Sequence, residues 1–251
     1  WTTKTDTWPA DPKERTGYYV PYEVWKKYHI PEKKYVDRIH FHIKELVNNY
    51  QPDIIWPDAE WDHDAEYWES KELLSWIYNN APNKDSLVVN DRWARGTRGK
   101  HGGYYTTEYG HGSENVKKGH PWEECRGMGY SFGYNRAENI HHYKNSKELI
   151  HTLIRIVAKG GNLLLNVGPT SDGRIPVIMQ ERLLDIGKWL EINGEAIYAT
   201  HPLHISTEPE KIHPEVGGNI VFTQNADAIY AICLKWPEDD LVLHHIPIDN
   251  R

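Results

Sequence analysis

Residues 145–168, NSKELIHTLIRIVAKGGNLLLNVG, predict a helix followed directly by a buried strand. Asn145 can cap the helix, and Glu148 stands three residues later, which is the spacing of a capping box. The apolar residues that follow recur at helical spacing: Leu149, Ile150, Leu153, Ile154 and Val157. Gly160 is typical of a helix end. Residues 162–168 are continuously apolar through their middle, which favours a strand buried on both faces.

The same alternation of helices and strands extends over most of the chain. Further helices are predicted at 33–50, from Ser70 to just before Pro82, and at about 176–192. Runs typical of strands occupy 53–56, 86–91 and 102–108, with weaker candidates at 17–22 and 129–134. Because this alternation is typical of a parallel sheet covered on both faces, we predict an α/β protein.

The character of the sequence changes after residue 200. Strand-like runs at 219–224, 228–236 and 241–246 are separated by turn residues, with no helical pattern between them. A run of strands without helices indicates a separate all-β unit, so we predict a domain boundary between residues 200 and 201.

Composition and charge argue against several classes of protein. The chain has 251 residues and a formal net charge of -7, which makes nucleic acid and anionic membranes poor partners. No stretch approaches the roughly 18 apolar residues that a membrane span needs. Cys125 and Cys233 are too few for a disulfide framework, and two buried thiols are favoured over a single bridge. The 11 Trp and 16 Tyr, against 3 Phe, suit sugar binding as well as core packing.

Polar side chains stand at the predicted carboxyl ends of four strands. They are Asp58 after the first, Asn90, Asp91 and Arg92 after the second, Glu108 after the third and Asn166 after the fourth. In parallel α/β folds these ends line the ligand-binding face, so the pattern predicts a site. The alternative is that strand ends enter loops, and that loops are polar.

Carboxylates beside tryptophans suit glycoside hydrolysis, in which one carboxylate acts as nucleophile or base and another as acid. Trp56 and Trp61 flank Asp58 and offer apolar walls, and Arg92 can bind sugar hydroxyls. The competing interpretation is a metal-dependent hydrolase, since the chain has 15 His. Neither HExxH nor CxxC spacing occurs, so we predict no metal and no other cofactor; glycine-rich phosphate-loop patterns do not occur either.

A set of longer motifs resembles the retaining alpha-L-fucosidases. The motifs are PDIIWPDAEW, VVNDRW, HGGYYTTEY, PWEEC, SFGYN, GGNLLLNVGPTSDGRIP, QERLLDIGKWLEINGEAIYAT and YAICLKWP, in the family's order over about 17–240. The resemblance implies a (β/α)8-type barrel in residues 1–200, followed by the start of a C-terminal β-sandwich in 201–251. It also implies an exo-acting enzyme that releases terminal alpha-L-fucose from glycoconjugates by double displacement.

The resemblance implies catalytic roles for particular carboxylates. The aspartate of the W-x-D motif falls on Asp58 and is the nucleophile. The acid/base falls on Glu108 of TTEY, which is favoured because it ends a predicted strand. Glu123 of PWEEC is the alternative acid/base, and it could instead orient other groups.

Substrate-binding roles follow in the same way from the resemblance. Trp56 lies in the fucose pocket, and Arg92 contacts the sugar. Phe132 of SFGYN forms a wall for the fucose methyl group, and Tyr18 of YYVPYEV is a further binding residue.

The match is expected to be partial. The family's first barrel strands should precede Tyr18, and nothing in residues 1–16 matches them, so we expect an incomplete barrel with its N-terminal strands missing. A catalytically incompetent, fucose-binding fragment is therefore the alternative function. The implied partners are fucosylated oligosaccharides or glycoproteins, and the chain could form a homo-oligomer. The resemblance implies a secreted, periplasmic or lysosomal setting.

Overall fold

The structure is a computed structural model that describes residues 32–58, 60–112, 116–117, 119–203, 220–237 and 240. It divides into two compact units, the first ending at Gly103 and the second beginning at Tyr104. The strands predicted at 17–22 and 241–246, and with them Tyr18, lie outside the described residues. Among the described helices, none is long and apolar enough to cross a membrane.

The first unit contains two helix–strand pairs. These are α1 (Glu32–Tyr50) with β1 (Ile54–Ile55), and α2 (Ser70–Asn80) with β2 (Val88–Val89). The two strands pair in parallel, with Ile54 opposite Val88 and Ile55 opposite Val89. The predicted helices and strands of this region are therefore confirmed, although the strands are shorter than their apolar runs.

An apolar core joins the helices of the first unit to its strands. Its buried members are Val47, Leu73, Ile77, Ala81, Leu87, Val89 and Trp93. Burying a large apolar side chain contributes about 1.5–3 kcal/mol, so this cluster supplies much of the stability that orders the loops leaving β1 and β2.

The second unit is built on a three-stranded parallel sheet. Its strands are β3 (Tyr105–Glu108), β4 (Trp122–Gly127) and β5 (Gly161–Asn166), in that spatial order. The helix α3 (Ser146–Ala158) precedes β5, and α4 (Val177–Asn193) follows it. The predicted capping box is confirmed, because the Asn145 side chain accepts from the Glu148 backbone N–H and the Glu148 side chain accepts from the Asn145 N–H.

An antiparallel sheet follows in the same unit. Its strands are β6 (His201–Pro202), β7 (Ile220–Gln224) and β8 (Ile229–Cys233), in the order β6-β7-β8. It packs on α3 through Ile154, Val221 and Ile232. The strands predicted at 219–224 and 228–236 are confirmed as β7 and β8, and the domain boundary between residues 200 and 201 stays a prediction.

The prediction of a strand at 129–134 is wrong. The strand in this part of the chain is β4, at Trp122–Gly127, which the sequence analysis did not predict. Its sequence, WEECRG, carries three charged residues in six, which does not look like a buried strand. Residues 129–134 instead form bends that follow β4. The buried charges of β4 have partners within the sheet, and those partners are visible only in three dimensions.

The prediction of two buried thiols is half right. Cys125 and Cys233 are both free, but only Cys125, in β4, is buried. Cys233 is exposed because burial alternates along β8, and Cys233 lies on the exposed side.

Candidate active site

Asp58 follows β1 and is held by an arginine that follows β2. The Arg92 Nη1 donates to Asp58 Oδ1 at 2.9 Å. The arginine side chain is only 2% exposed, whereas 49% of the Asp58 side-chain surface is open to solvent. Parallel pairing of β1 with β2 brings the two carboxyl ends side by side, which is why residues 34 positions apart in sequence meet. The result is an oriented carboxylate that an incoming molecule can reach.

Trp56 completes this group. The Arg92 guanidinium carbon lies 4.4 Å from the centre of the Trp56 ring, in cation–π geometry. The buried arginine is thus satisfied by an anion and by an aromatic face. Asp58, Trp56 and Arg92, three of the residues predicted from sequence, are brought together by the structure.

The buried amide of Asn90 orders both loops of this group. Its Nδ2 donates to the Pro57 carbonyl at 3.1 Å, and its Oδ1 accepts from the Arg92 backbone N–H at 3.0 Å. Asp91, also buried, accepts from the Gly99 N–H at 2.8 Å. Both were noted as polar residues at a strand end, but their supporting role was missed. The signal for it is complete burial, which the sequence does not show.

The acidic stretch after Asp58 turns away from it in a short 3₁₀ helix, Glu60–Asp62. Glu60 is buried and pairs with Arg98 at 2.5 Å. The Trp61 side chain, expected as a second wall beside Asp58, is 52% exposed. Within the described parts of the chain, no three His, Cys, Asp or Glu side chains group as a metal site would.

In the second unit, Glu108 is the last residue of β3, as predicted, and Glu123 is the second residue of β4. The register pairs Thr106 with Glu123 and Glu108 with Cys125. Because side chains alternate along strands, Glu108 and Glu123 share one face of the sheet. Both are half-buried.

Glu124 occupies the opposite face of β4 and is 0% exposed. Its Oε2 accepts from the Thr107 hydroxyl, and its Oε1 accepts from the Gly110 N–H at 2.9 Å. Arg126 Nη1 lies 3.8 Å from Oε1, and its guanidinium lies 5.3 Å from the Tyr109 ring centre. The PWEEC motif therefore holds one half-buried and one buried carboxylate, and sequence reasoning considered only the former.

Phe132 lies in the bends after β4 and is held there by two contacts. Its ring meets the Tyr109 ring edge-on at 5.1 Å, and its carbonyl accepts from Asn166 Nδ2 at 2.5 Å. Gly127, at the end of β4, lets the bend approach closely, since a Cβ there would stand 2.6 Å from the Ser131 carbonyl oxygen. The structure thus places Phe132 near the carboxyl ends of the parallel strands.

Tyr109 contacts both the end of β4 and the bends that follow it. Its hydroxyl accepts from the Gly127 N–H at 2.9 Å and donates to the Gly129 carbonyl at 3.3 Å. Burial raises the pKa of Tyr109 above its ordinary value, an effect that the Gly127 hydrogen bond and Arg126 partly oppose. Tyr109 therefore stays a neutral hydrogen-bonding group. It was not among the predicted residues, and only its adjacency to Glu108 pointed to it.

The two parallel α/β units contain an ion-paired aspartate, a tryptophan ring beside it, and glutamates in the strands. Glycosidases that work through carboxylates use these groups. A family model for alpha-L-fucosidase matches residues 6–195, and the chain belongs to that family. This confirms the resemblance read from the motifs.

Individual relatives agree with the family assignment. The human tissue alpha-L-fucosidase is 43% identical over 205 residues, which cover 81% of this chain and 42% of that protein. The rat plasma alpha-L-fucosidase is 42% identical over 200 residues, covering 77% and 41%. A Thermotoga maritima alpha-fucosidase structure in complex with fucose aligns with a TM-score of 0.67 at 36% identity, covering 89% of this chain and 50% of that one. The chain thus spans less than half the length of these curated relatives.

Proposed function

We propose that the protein is an exo-acting, retaining glycoside hydrolase that releases terminal alpha-L-fucose from fucosylated oligosaccharides or glycoproteins. The observation that carries this proposal is the buried Arg92 holding the half-exposed Asp58 beside Trp56. Family membership supports the same activity. A relative named for plasma supports a secreted setting, and a periplasmic or lysosomal setting is the alternative.

In the proposed reaction, Asp58 attacks the anomeric carbon and forms a glycosyl-enzyme. Arg92 fixes one carboxylate oxygen, so the nucleophile needs little reorientation before attack. Glu108 protonates the departing oxygen and then deprotonates the incoming water, and Glu123 is the alternative for this role. Keeping the acid/base at the end of β3 gives it a rigid support.

Binding of the sugar follows from the remaining side chains. Trp56 and Arg92 contact fucose beside the nucleophile, and Phe132 forms the wall for its methyl group. Tyr18 is proposed as a further binding residue. The fold that suits this assembly is a (β/α)8-type barrel, supported by parallel pairing within each unit and by likeness to a solved alpha-fucosidase.

Replacing the nucleophile tests the proposal. In the complete protein, Asp58→Ala should lower hydrolysis of an aryl alpha-L-fucoside by roughly 10⁴-fold or more, since nucleophile removal costs other enzymes this much. Asp85→Ala removes an exposed aspartate from the same unit and is the matched control. Near-normal turnover by Asp58→Ala would refute the assignment. Fucose binding by the unaltered protein without any hydrolysis would instead indicate a binding protein.

Azide distinguishes the two candidates for the acid/base. Removing the acid/base leaves the glycosyl-enzyme without a base for water, and azide needs no base to attack it. We expect Glu108→Ala, assayed with an activated aryl fucoside, to be rescued by azide with formation of alpha-fucosyl azide. The same product from Glu123→Ala, without rescue of Glu108→Ala, would move the role to Glu123.

A further inference from the structure

Glu124 is a buried carboxylate that the proposed mechanism does not use. Burying an ionised carboxylate is costly unless it is paired and hydrogen-bonded. Glu124 meets this condition through Thr107, Gly110 and Arg126. All three contacts lie within the second unit, and two of them are to residues of a single short stretch, 107–110.

That stretch is the end of β3 and the turn that follows it. Tyr109 has φ 49° and Gly110 has φ 81°, so the chain reverses through two left-handed residues. The Glu108 N–H donates to the His111 carbonyl at 3.0 Å, and the His111 N–H donates back to the Glu108 carbonyl at 2.8 Å. A left-handed conformation costs a non-glycine residue of order 1–3 kcal/mol and persists only where its surroundings enforce it.

Glu124 stabilises this turn through contacts on both sides of Glu108. One carboxylate oxygen holds the Thr107 side chain, one residue before Glu108, and the other holds the Gly110 N–H, two residues after it. Arg126 adds charge to this clamp and contacts Tyr109, the residue directly after Glu108. Glu124 itself lies on the face of the sheet opposite to Glu108, so it has no part in the face that Glu108 and Glu123 share.

We propose that Glu124 is a positioning residue that clamps the turn after β3 and thereby aims the Glu108 carboxyl. This inference rests on the proposed function, in which Glu108 donates a proton to the leaving group. A misaimed general acid slows the departure of poor leaving groups, while a leaving group that needs no proton departs normally. Loss of fold, by contrast, lowers both rates equally.

Leaving-group dependence in the complete protein is therefore the test. Glu124→Met has similar length and no hydrogen-bond acceptor of comparable strength. Its kcat/KM should fall roughly 10- to 100-fold on a fucoside with a sugar or alkyl leaving group, within the range that general acids contribute. On alpha-L-fucosyl fluoride it should fall less than about 3-fold, since fluoride needs no proton to leave. Glu124→Gln keeps an oxygen for the Gly110 N–H and should recover most of the loss.

Two further variants keep the test decisive. Thr107→Val removes one arm of the clamp, together with a longer contact of 3.4 Å from the Thr107 hydroxyl to the Glu123 carbonyl. It should show the same selective loss even if Glu124→Met does not fold. Thr152→Val removes another buried hydroxyl of the unit, bonded to the Glu148 carbonyl on α3, and should affect both substrates equally. Equal losses on both substrates in Glu124→Met and Thr107→Val, or no loss in either, would overturn the inference.

Failure of the proposed function has a different signature. If the unaltered protein hydrolyses neither substrate, the fucosidase proposal itself fails. If Glu123→Ala shows the selective loss and Glu108→Ala does not, the fucosidase proposal stands and the positioning of Glu108 by Glu124 is refuted.

Discussion

Arg92 is a charged side chain in a buried position, and its contacts with Asp58 and Trp56 help to explain why it is stable there. A buried charge is tolerated when it is paired, and Asp58 supplies the pair while Trp56 supplies an aromatic face. The same contacts order Asp58. The planar guanidinium suits both contacts at once, whereas an ammonium group is a point charge.

Arg92→Lys should therefore not be a conservative change. The charge stays, but the planar contact with Trp56 is lost and the hydrogen bond to Asp58 changes geometry. Since hydrogen bonds to charged groups contribute about 1.5–3 kcal/mol, kcat/KM on an aryl fucoside should fall roughly 10- to 100-fold. Arg95→Lys, at an exposed arginine of the same loop, is the matched control and should behave like the unaltered protein. Indistinguishable kinetics for the two variants would contradict the role given to Arg92.

At the scale of elements, the ends of β3, β4 and β5 act together. The turn after β3 brings Tyr109 to Phe132, the end of β4 supplies Gly127, and the end of β5 supplies Asn166. Phe132 thus contacts Tyr109 and Asn166 directly, and its neighbour Ser131 packs against Gly127. This explains how a glycine-rich stretch without regular structure can present a side chain in a defined place.

Gly127→Ala should loosen this arrangement. The new Cβ would stand 2.6 Å from the Ser131 carbonyl oxygen and 2.8 Å from the Tyr109 hydroxyl, so the bend with Phe132 must shift. A methyl group in an apolar pocket gives about 10- to 200-fold discrimination. The preference for an aryl fucoside over the analogue without the methyl group should therefore shrink, by roughly 3- to 10-fold.

Gly133→Ala is the control for this substitution. Gly133 lies in the same bends, but a Cβ there meets nothing within 4 Å. If Gly133→Ala changed the preference as much as Gly127→Ala does, or if Gly127→Ala left it unaltered, close packing at Gly127 would not determine the position of Phe132.

At the scale of the whole molecule, the proposed reaction draws on both units. In that proposal the first unit carries the nucleophile Asp58 with Trp56 and Arg92. The second carries the acid/base Glu108, or its alternative Glu123, and the Phe132 wall. Each group is ordered by contacts within its own unit. Stability of the second unit is therefore a condition for activity.

That stability should depend on pH through His151 of α3. Burial, with Lys147 and Arg155 nearby, lowers the pKa of His151 below its ordinary value of 6.5. The unfolded chain then binds the proton more readily than the folded protein, so stability is full above about pH 6.5 and falls as the pH drops toward the folded-state pKa. Urea unfolding of the complete protein between pH 8 and 5 should show this decline.

His151→Gln should flatten the decline, and Arg155→Gln, which removes one of the neighbouring charges, should make it shallower. An unchanged pH dependence in His151→Gln would show that other groups cause it.

Much of the regular structure was predictable because it rests on local rules. The capping box and the apolar stripe of the helix Ser146–Ala158 are formed by residues close together in the sequence. The strand β5 has three consecutive leucines at its centre, although it is only partly buried and not covered on both faces as expected. Strand β4 was missed because charged residues in a sequence are normally taken to be exposed. The charge of Glu124 is instead buried and stabilised by Thr107 and Gly110, which lie outside the strand.

The candidate site divides in the same way. Residue types at strand ends and their motifs singled out Asp58, Trp56, Arg92, Glu108 and Phe132 from the sequence alone. Asn90, Tyr109 and Glu124 were not assigned their roles, because those roles rest on burial and on hydrogen bonds, most of them to residues distant in the sequence. Such a role produces no periodic pattern and no unusual composition in the sequence.

The sequence by itself determined the family and most of the helices and strands, with β4 as the exception, and it singled out the side chains proposed for catalysis. These depend on motifs and on local periodicity. Only the tertiary structure decided that Arg92 holds Asp58, that Glu108 and Glu123 share one face of a sheet, and that Glu124 is buried behind them. The physical reason is that burial and long-range hydrogen bonds depend on which strand pairs with which, and in what register.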